Sequence, residues 1–354
     1  MELSKQQQQI VETNASKVVV IASAASGKTA VLVERVRYLL EHGADSKKVV
    51  MITFTNAAAE EMAERLGHPQ GLFIGTIHSY ANYLLLSNGQ DTQDILEAEQ
   101  FDKLFKRIKQ NPDCIRPVEH LLLDESQDSN AAHFEFLLDM VNPKNYIIMG
   151  DHKQSIYRWN GAYPDYLIGL AKNKDVVTYE LNENYRNATA ILNYAKNLIM
   201  VAGYDYRDTS VPMRGITGKV ITDLEYNPQA IAHTFAKMED GFGEWFILTR
   251  TNDQIDEVST ALKRCGVPYD TFKRAQLDNK ELNKKMKENT VKVLTIHTAK
   301  GLEANNVIVI GAKFFNLEER CISYVAATRA RNALYWTKMP YRKKATSSTT
   351  NWER

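Results

Sequence analysis

Lys28 and Thr29 close the string Ala22, Ser23, Ala24, Ala25, Ser26, Gly27, Lys28, Thr29, which reads AxxxxGKT and matches the P-loop pattern with alanine for its first glycine. In such a loop successive backbone N–H groups and the next helix N-terminus face phosphate oxygens. The lysine reaches the β/γ-phosphates and the hydroxyl ligates Mg²⁺. The chemistry expected of this segment is therefore phosphoryl transfer from a nucleotide. Asp124 and Glu125 follow directly on Leu121, Leu122 and Leu123, which places two carboxylates at the carboxyl end of a buried strand. Open parallel sheets bind ligands at that edge. An apolar run ending in Asp-Glu is common as a solvated strand end; beside Lys28 and Thr29 it reads as an Asp that holds Mg²⁺ and a Glu that orients and deprotonates water.

A third set lies in IIMGDHKQSIYRWNGA, from Ile147 to Ala162. The Gln154 amide is placed to sense a γ-phosphate, while Tyr157, Arg158 and Trp159 offer surfaces on which unpaired bases stack. The alternative is that both aromatics belong to the core of a turn. Arg186 and Arg329 complete the list: an arginine delivered across a domain cleft to the γ-phosphate stabilises transition-state charge and makes hydrolysis depend on closure of the cleft, although arginines on helices are usually only solvated.

The elements that must position these residues follow from apolar periodicity. Short apolar runs (18–22, 49–54, 72–75, 120–123, 146–149) alternate with helical patterns up to about residue 180, which predicts a parallel, doubly wound sheet. A second alternation follows, with helices over 188–201, 230–238, 254–264 and 318–331 and strands over 219–222, 245–248, 291–295, 307–310 and 333–336. Two α/β domains are expected, 1–180 and 181–340, with the boundary near 175–181 and a small helical insertion over about 87–117. Phe272 to Asn289 is Lys-rich, and Lys273, Arg274, Lys280, Lys284, Lys285 and Lys287 are candidates for phosphate contact or for a solvated face. Residues 341–354 read as a basic, mobile tail.

At 354 residues, 44% hydrophobic and 25% charged, the composition is that of a globular protein, and a net charge of +1 excludes a purely electrostatic, histone-like binder. Cys114, Cys265 and Cys321 show no CxxC pairing, so neither a disulfide framework nor a zinc site is indicated, and a reducing, cytoplasmic setting is expected. No apolar run approaches a membrane span and no signal peptide is evident, so no membrane partner is expected.

Taken in order, LSKQQQQIV, ASAASGKT, MITFTNAAAEEM, GTIHSYA, LLLDESQDS, GDHKQSIYRWNGA, LNENYRN, VLTIHTAKGLEANNVIV and YVAATRAR resemble the motifs of the superfamily 1 DNA helicases of the UvrD/Rep/PcrA type, over nearly the whole chain. The resemblance implies two tandem RecA-like P-loop NTPase domains with parallel sheets and ATP in the cleft between them. It implies an ATPase site of Lys28, Thr29, Asp124, Glu125, Gln154, Arg186 and Arg329, with Gln7 reading adenine, Tyr185 stacking on it and Glu303 at the ribose. Phe54, Thr55, Asn56, Thr76, His78, Tyr157, Trp159, His297 and Thr298 would line the path of single-stranded DNA, or of a single/double-strand junction. The implied activity is ATP-dependent translocation or unwinding, 3′ to 5′. Two other readings stand beside it: an ATP-switched DNA-binding module that loads or remodels a partner protein, and, less well supported, an RNA-directed helicase.

The departures are specific. Ser23 and Ala25 stand where the family usually has glycine, and their Cβ atoms are expected to weaken phosphate binding. Ala30 stands where the family often has an arginine that sandwiches adenine, which leaves Tyr185 alone for stacking and relaxes base selectivity. The family's large helical insertions are reduced to 87–117 and 272–289, so the chain reads as a stripped core.

Overall fold

The computed structural model describes residues 2–200, 206, 208–273, 284–311 and 316–338. Arg274, Lys280 and the tail 341–354 lie outside these. The first six strands are β1 (Lys17–Ala22), β2 (Val49–Thr53), β3 (Phe73–Thr76), β4 (His120–Leu123), β5 (Asn145–Gly150) and β6 (Val177–Leu181). They form one parallel sheet in the order β3-β2-β4-β5-β1-β6.

The continuous apolar runs are explained by coverage on both faces. Val18, Val20, Met51, Leu122 and Met149 enter one core with the helix Lys28–Glu41, while Val19, Ile52, Leu121, Leu123 and Ile148 enter another with the helix Ile77–Ser87. Alternate residues of each strand thus meet different helices, as period-2 geometry requires. The insertion folds as short helices, Gln93–Glu97 and Asp102–Gln110, which bury Ile95, Leu104, Phe105 and Ile108 in the second of those cores.

A short pair, β7 (Glu183–Asn184) and β8 (Val211–Pro212), follows. The second large sheet contains β9 (Lys219–Glu225), β10 (Trp245–Thr249), β11 (Tyr269–Phe272), β12 (Val291–Thr295), β13 (Ala304–Val309) and β14 (Ala330–Lys338). It is again fully parallel, in the order β11-β12-β10-β13-β14-β9. Ile247, Val291, Val293 and Ile308 pack with Ile255, Val258 and Leu262 of the helix Asn252–Arg264. β11 is the strand that periodicity does not reveal, being four residues of mixed polarity.

Two compact units result: Met1–Thr217 with Phe314–Thr328, and Gly218–Lys313 with Arg329–Arg354. This division differs from a boundary near 175–181. The helices Thr189–Ile199 and Leu317–Ala327 pack on each other, and the second also packs on the 152–154 turn, so both go with the first sheet. The last helix also ends earlier than the expected 331: the Thr328 hydroxyl donates to the Tyr324 and Val325 carbonyls, β14 begins at Ala330, and Arg329 sits in the turn between rather than on the helix.

Candidate nucleotide site and adjoining groove

The loop after β1 is held from several sides. Ser23 N–H donates to the Leu181 carbonyl at 2.8 Å, and the Ser26 hydroxyl donates to the Ser23 carbonyl at 2.9 Å. Gly27 has φ +81°, and a Cβ there would lie 2.7 Å from Gln7 Nε2, so conformation and space both demand glycine. Ala25 has φ +56° and occupies the same left-handed region with a side chain, which is a strained arrangement where glycine is the natural choice. Gln7 donates through Nε2 to the Ser26 carbonyl at 3.0 Å and accepts through Oε1 from the Ser4 N–H at 3.0 Å. One N–H of the amide thus clamps the loop and one lone pair of its oxygen caps the first helix, while the second N–H and second lone pair remain for a ligand.

Lys28, 8% exposed, opens the helix that the loop feeds. The Thr29 hydroxyl donates to Asp124 Oδ2 at 3.3 Å, and the Glu125 N–H donates to Asp124 Oδ1 at 2.8 Å. Glu125 itself lies at φ +50°, so the turn that aims its carboxylate is strained. Burial, and then the neighbouring Glu125 charge, push the Asp124 carboxyl up to about 7 against the pull of Lys28. A buried carboxylate lacking sufficient positive charge, with a hydroxyl 3.3 Å away, fits a hard divalent cation such as Mg²⁺.

Gln127 links this carboxylate pair to a third acid. Its amide nitrogen donates to Glu125, and its Oε1 accepts from the Asp151 N–H at 2.9 Å. Asp151 is fully buried and accepts from Gln154 Nε2 at 2.8 Å and from Lys153 Nζ at 2.9 Å. Burial pushes the Asp151 carboxyl up, but the Lys153 and Lys28 ammonium groups outweigh it and hold it below the usual range. Gln154 is thus brought into the same polar network as Glu125, by way of Asp151 and Gln127.

Tyr185 and Arg186 reach the loop through Asn184, which sequence reasoning missed. Asn184 Nδ2 donates to the Ala24 carbonyl at 3.0 Å, and its Oδ1 accepts from the N–H groups of Arg186 (3.1 Å) and Asn187 (2.7 Å). The Tyr185 N–H donates to the Ala25 carbonyl at 3.1 Å, and its ring is 42% exposed. Arg186 Nη1 donates to the Thr328 carbonyl at 3.4 Å within the same unit. Asp208, also missed, accepts from the Tyr324 hydroxyl at 2.6 Å and from Ser23 Oγ at 3.4 Å. Asp151 had a signal in the sequence, an acid directly after the apolar strand IIMG, whereas nothing in the local pattern marks Asp208.

A groove of about 420 Å³ opens beside β2 and β3, and five of the expected strand-binding residues line it: Phe54, Thr55, Asn56, Thr76 and His78, joined by Leu96 and Phe101 of the insertion. Thr55 and Thr76 are the N-caps of the helices that flank it. Phe54 stacks on Tyr157 with centroids 5.2 Å apart, and Tyr157 meets Trp159 edge-on at 6.2 Å. Tyr157 is buried, so the core-aromatic reading holds for it, but Trp159 is 62% exposed.

The remaining candidates belong to the second unit. Arg329 is buried and donates to the Leu302 carbonyl at 3.3 Å; Glu303 is ion-paired with Arg331. His297 and Thr298 follow β12, with the Thr298 and Thr295 hydroxyls 2.9 Å apart. Of the basic segment, Lys273 pairs with Asp256 at 2.6 Å, and Lys284 and Lys287 are exposed.

Comparison with known proteins agrees with this arrangement. The UvrD/REP helicase N-terminal domain matches residues 3–116 and 101–175, and the UvrD-like helicase C-terminal domain matches residues 270–341. Relatives include a "Probable DNA helicase" of Mycoplasma pneumoniae, 24% identical over 94% of this chain and 82% of its own length. "Gabija protein GajB" of Bacillus cereus is 29% identical over 53% of this chain and 47% of its own, and "ATP-dependent DNA helicase Rep" of Escherichia coli is 24% identical over 76% and 55%. Apart from the mycoplasma protein, the chain spans about half the length of these relatives. Both domain matches and the ordered motifs converge, and the chain belongs to the UvrD/Rep helicase family.

Proposed function

We propose that this protein is a DNA-dependent ATP hydrolase that moves along single-stranded DNA, with 3′ to 5′ polarity as the family resemblance suggests. The observation that carries the reading is one loop: its start holds Asp151 and Gln154 in the network of Glu125, and its end packs Tyr157 against Phe54, which lines the groove, and leaves Trp159 exposed beside Tyr157. A change in phosphate occupancy at Gln154 is thereby connected, within a few residues, to the surface on which bases stack.

In this reading Lys28 and the loop N–H groups hold the β- and γ-phosphates, and Thr29 with Asp124 holds Mg²⁺, which supplies charge neutralisation of the phosphate oxygens. Glu125 takes the proton of the attacking water, Gln154 senses the γ-phosphate, and Arg186 offsets transition-state charge. Tyr185, anchored by its N–H to the loop, stacks on the base. With the insertions reduced, the chain grips duplex poorly, so translocation exceeds unaided unwinding.

The test is steady-state ATP hydrolysis with and without a single-stranded oligonucleotide, coupled to displacement of streptavidin from either biotinylated end. Strong stimulation and displacement from one end only are expected. Equal rates with and without DNA would refute the reading.

A further inference from the structure

His78, Asp102 and His133 come from three different elements: the helix Ile77–Ser87, the insertion helix Asp102–Gln110 and the short helix Ala131–Phe134. One ligand atom from each lies within 4.8 Å of the others. His78 Nε2 and Asp102 Oδ1 are 3.4 Å apart, about the edge of a tetrahedron with bonds of roughly 2.1 Å. His133 is 7% exposed, and its Nε2 is buried with no hydrogen-bond partner among the described residues. An orphaned buried imidazole nitrogen calls for an explanation, and a missing electrophile beside it is the simplest. Phe105 packs on both rings, at 5.3 Å from His78 and 5.7 Å from His133, and shields one side of the cluster from water.

The geometry points to a binding site for a zinc-class divalent ion on His78 Nε2, Asp102 and His133 Nε2, with its fourth position open to the groove that His78 lines. Two imidazoles and one carboxylate, without cysteine, suit Zn²⁺ or Co²⁺ and leave the open position of a non-structural site. Burial disfavours the charged form of both imidazoles, in the direction of the neutral form that ligates. Nδ1 of His133 now accepts the Asn130 N–H at 3.3 Å; loading shifts the ring proton from Nε2 to Nδ1 and gives up that long bond. The Asn130 side chain still caps the helix through the His133 N–H at 3.0 Å. An ion here would tie the remnant insertion to the core through Asp102. It would also place a net positive charge, the divalent ion less one carboxylate, at the rim of the groove.

The site does not depend on the proposed ATPase, so its test needs neither nucleotide nor DNA. Equilibrium dialysis of the full chain against Zn²⁺, with metal measured by atomic emission, should return about one ion per chain. Asp102→Asn, whose side chain is 65% exposed in the native protein and whose loss should not disturb folding, should weaken retention by more than the roughly 10–100-fold that loss of an outer partner costs. His133→Gln should do the same, and the Co²⁺-loaded protein should show tetrahedral visible bands without thiolate charge transfer. Failure of wild type to retain Zn²⁺, retention unchanged in Asp102→Asn, or a thiolate band would each overturn the site.

Discussion

Asp151 and Trp159 lie on one short loop, and their surroundings are opposite in kind. Asp151 is fully buried, bonded to Gln127, Lys153 and Gln154, and continuous with the carboxylates at the end of β4. Trp159 is 62% exposed, with Tyr157 packed at its edge. A buried polar network is rigid because every lost partner leaves a desolvated group, whereas an exposed aromatic can bind and release at a cost of about 1–3 kcal/mol per stacked base. The first end suits a site that must be organised before phosphate arrives. The second suits a contact that must be made and broken repeatedly.

Substitutions on the two sides should differ in what they remove. The largest effect is expected at Lys28→Ala, which takes the ammonium from the phosphates: ATP hydrolysis should fall by on the order of 10³-fold, read in a coupled assay, with strand affinity in the absence of nucleotide unchanged. Next is Asn184→Ala. It leaves the Ala24 carbonyl and the Arg186 and Asn187 N–H groups without their partner, so thermal or urea unfolding should show a loss of about 3 kcal/mol together with impaired hydrolysis. On the exposed side, Trp159→Ala should weaken single-strand binding by about 1–3 kcal/mol in an anisotropy titration and leave both Tm and the DNA-free rate in place. A variant that instead unfolds would make Trp159 a packing residue and erase the contrast. The smallest effect is expected at Ala25→Gly, which relieves left-handed strain: a gain of at most about 1 kcal/mol in stability, with tighter nucleotide binding as the companion readout.

The same contrast governs what can be read from the sequence. Strands β1, β2, β4 and β5 are legible because each is a run of four to six mainly apolar residues, most of them buried, and Lys28, Thr29, Asp124 and Glu125 are legible because they follow such runs, directly or through a short loop. Strand β11 is not, since Tyr269–Phe272 alternates weakly and is identified by its pairing with β12. Asn184 and Asp208 are equally hidden, because their partners, Ala24 and Ser23, are 160 and 185 residues away. The extent of the last helix misleads for a local reason: Thr328 turns its hydroxyl back onto the preceding turn and ends a helix that the pattern would continue through Arg329. Gln7 is located by its motif, yet only the fold shows that its amide clamps Ser26.

The account's central claim is that the loop from Gly150 to Gly161 connects the phosphate end to the strand end. The most direct measurement is the DNA stimulation of ATP hydrolysis in wild type and Trp159→Ala, each at saturating oligonucleotide. The account predicts strong stimulation in wild type, and in the variant an unchanged basal rate with most of the stimulation lost even when the strand is fully bound. Full stimulation of the variant at saturation would show that the strand signals to the nucleotide by another route and would contradict it.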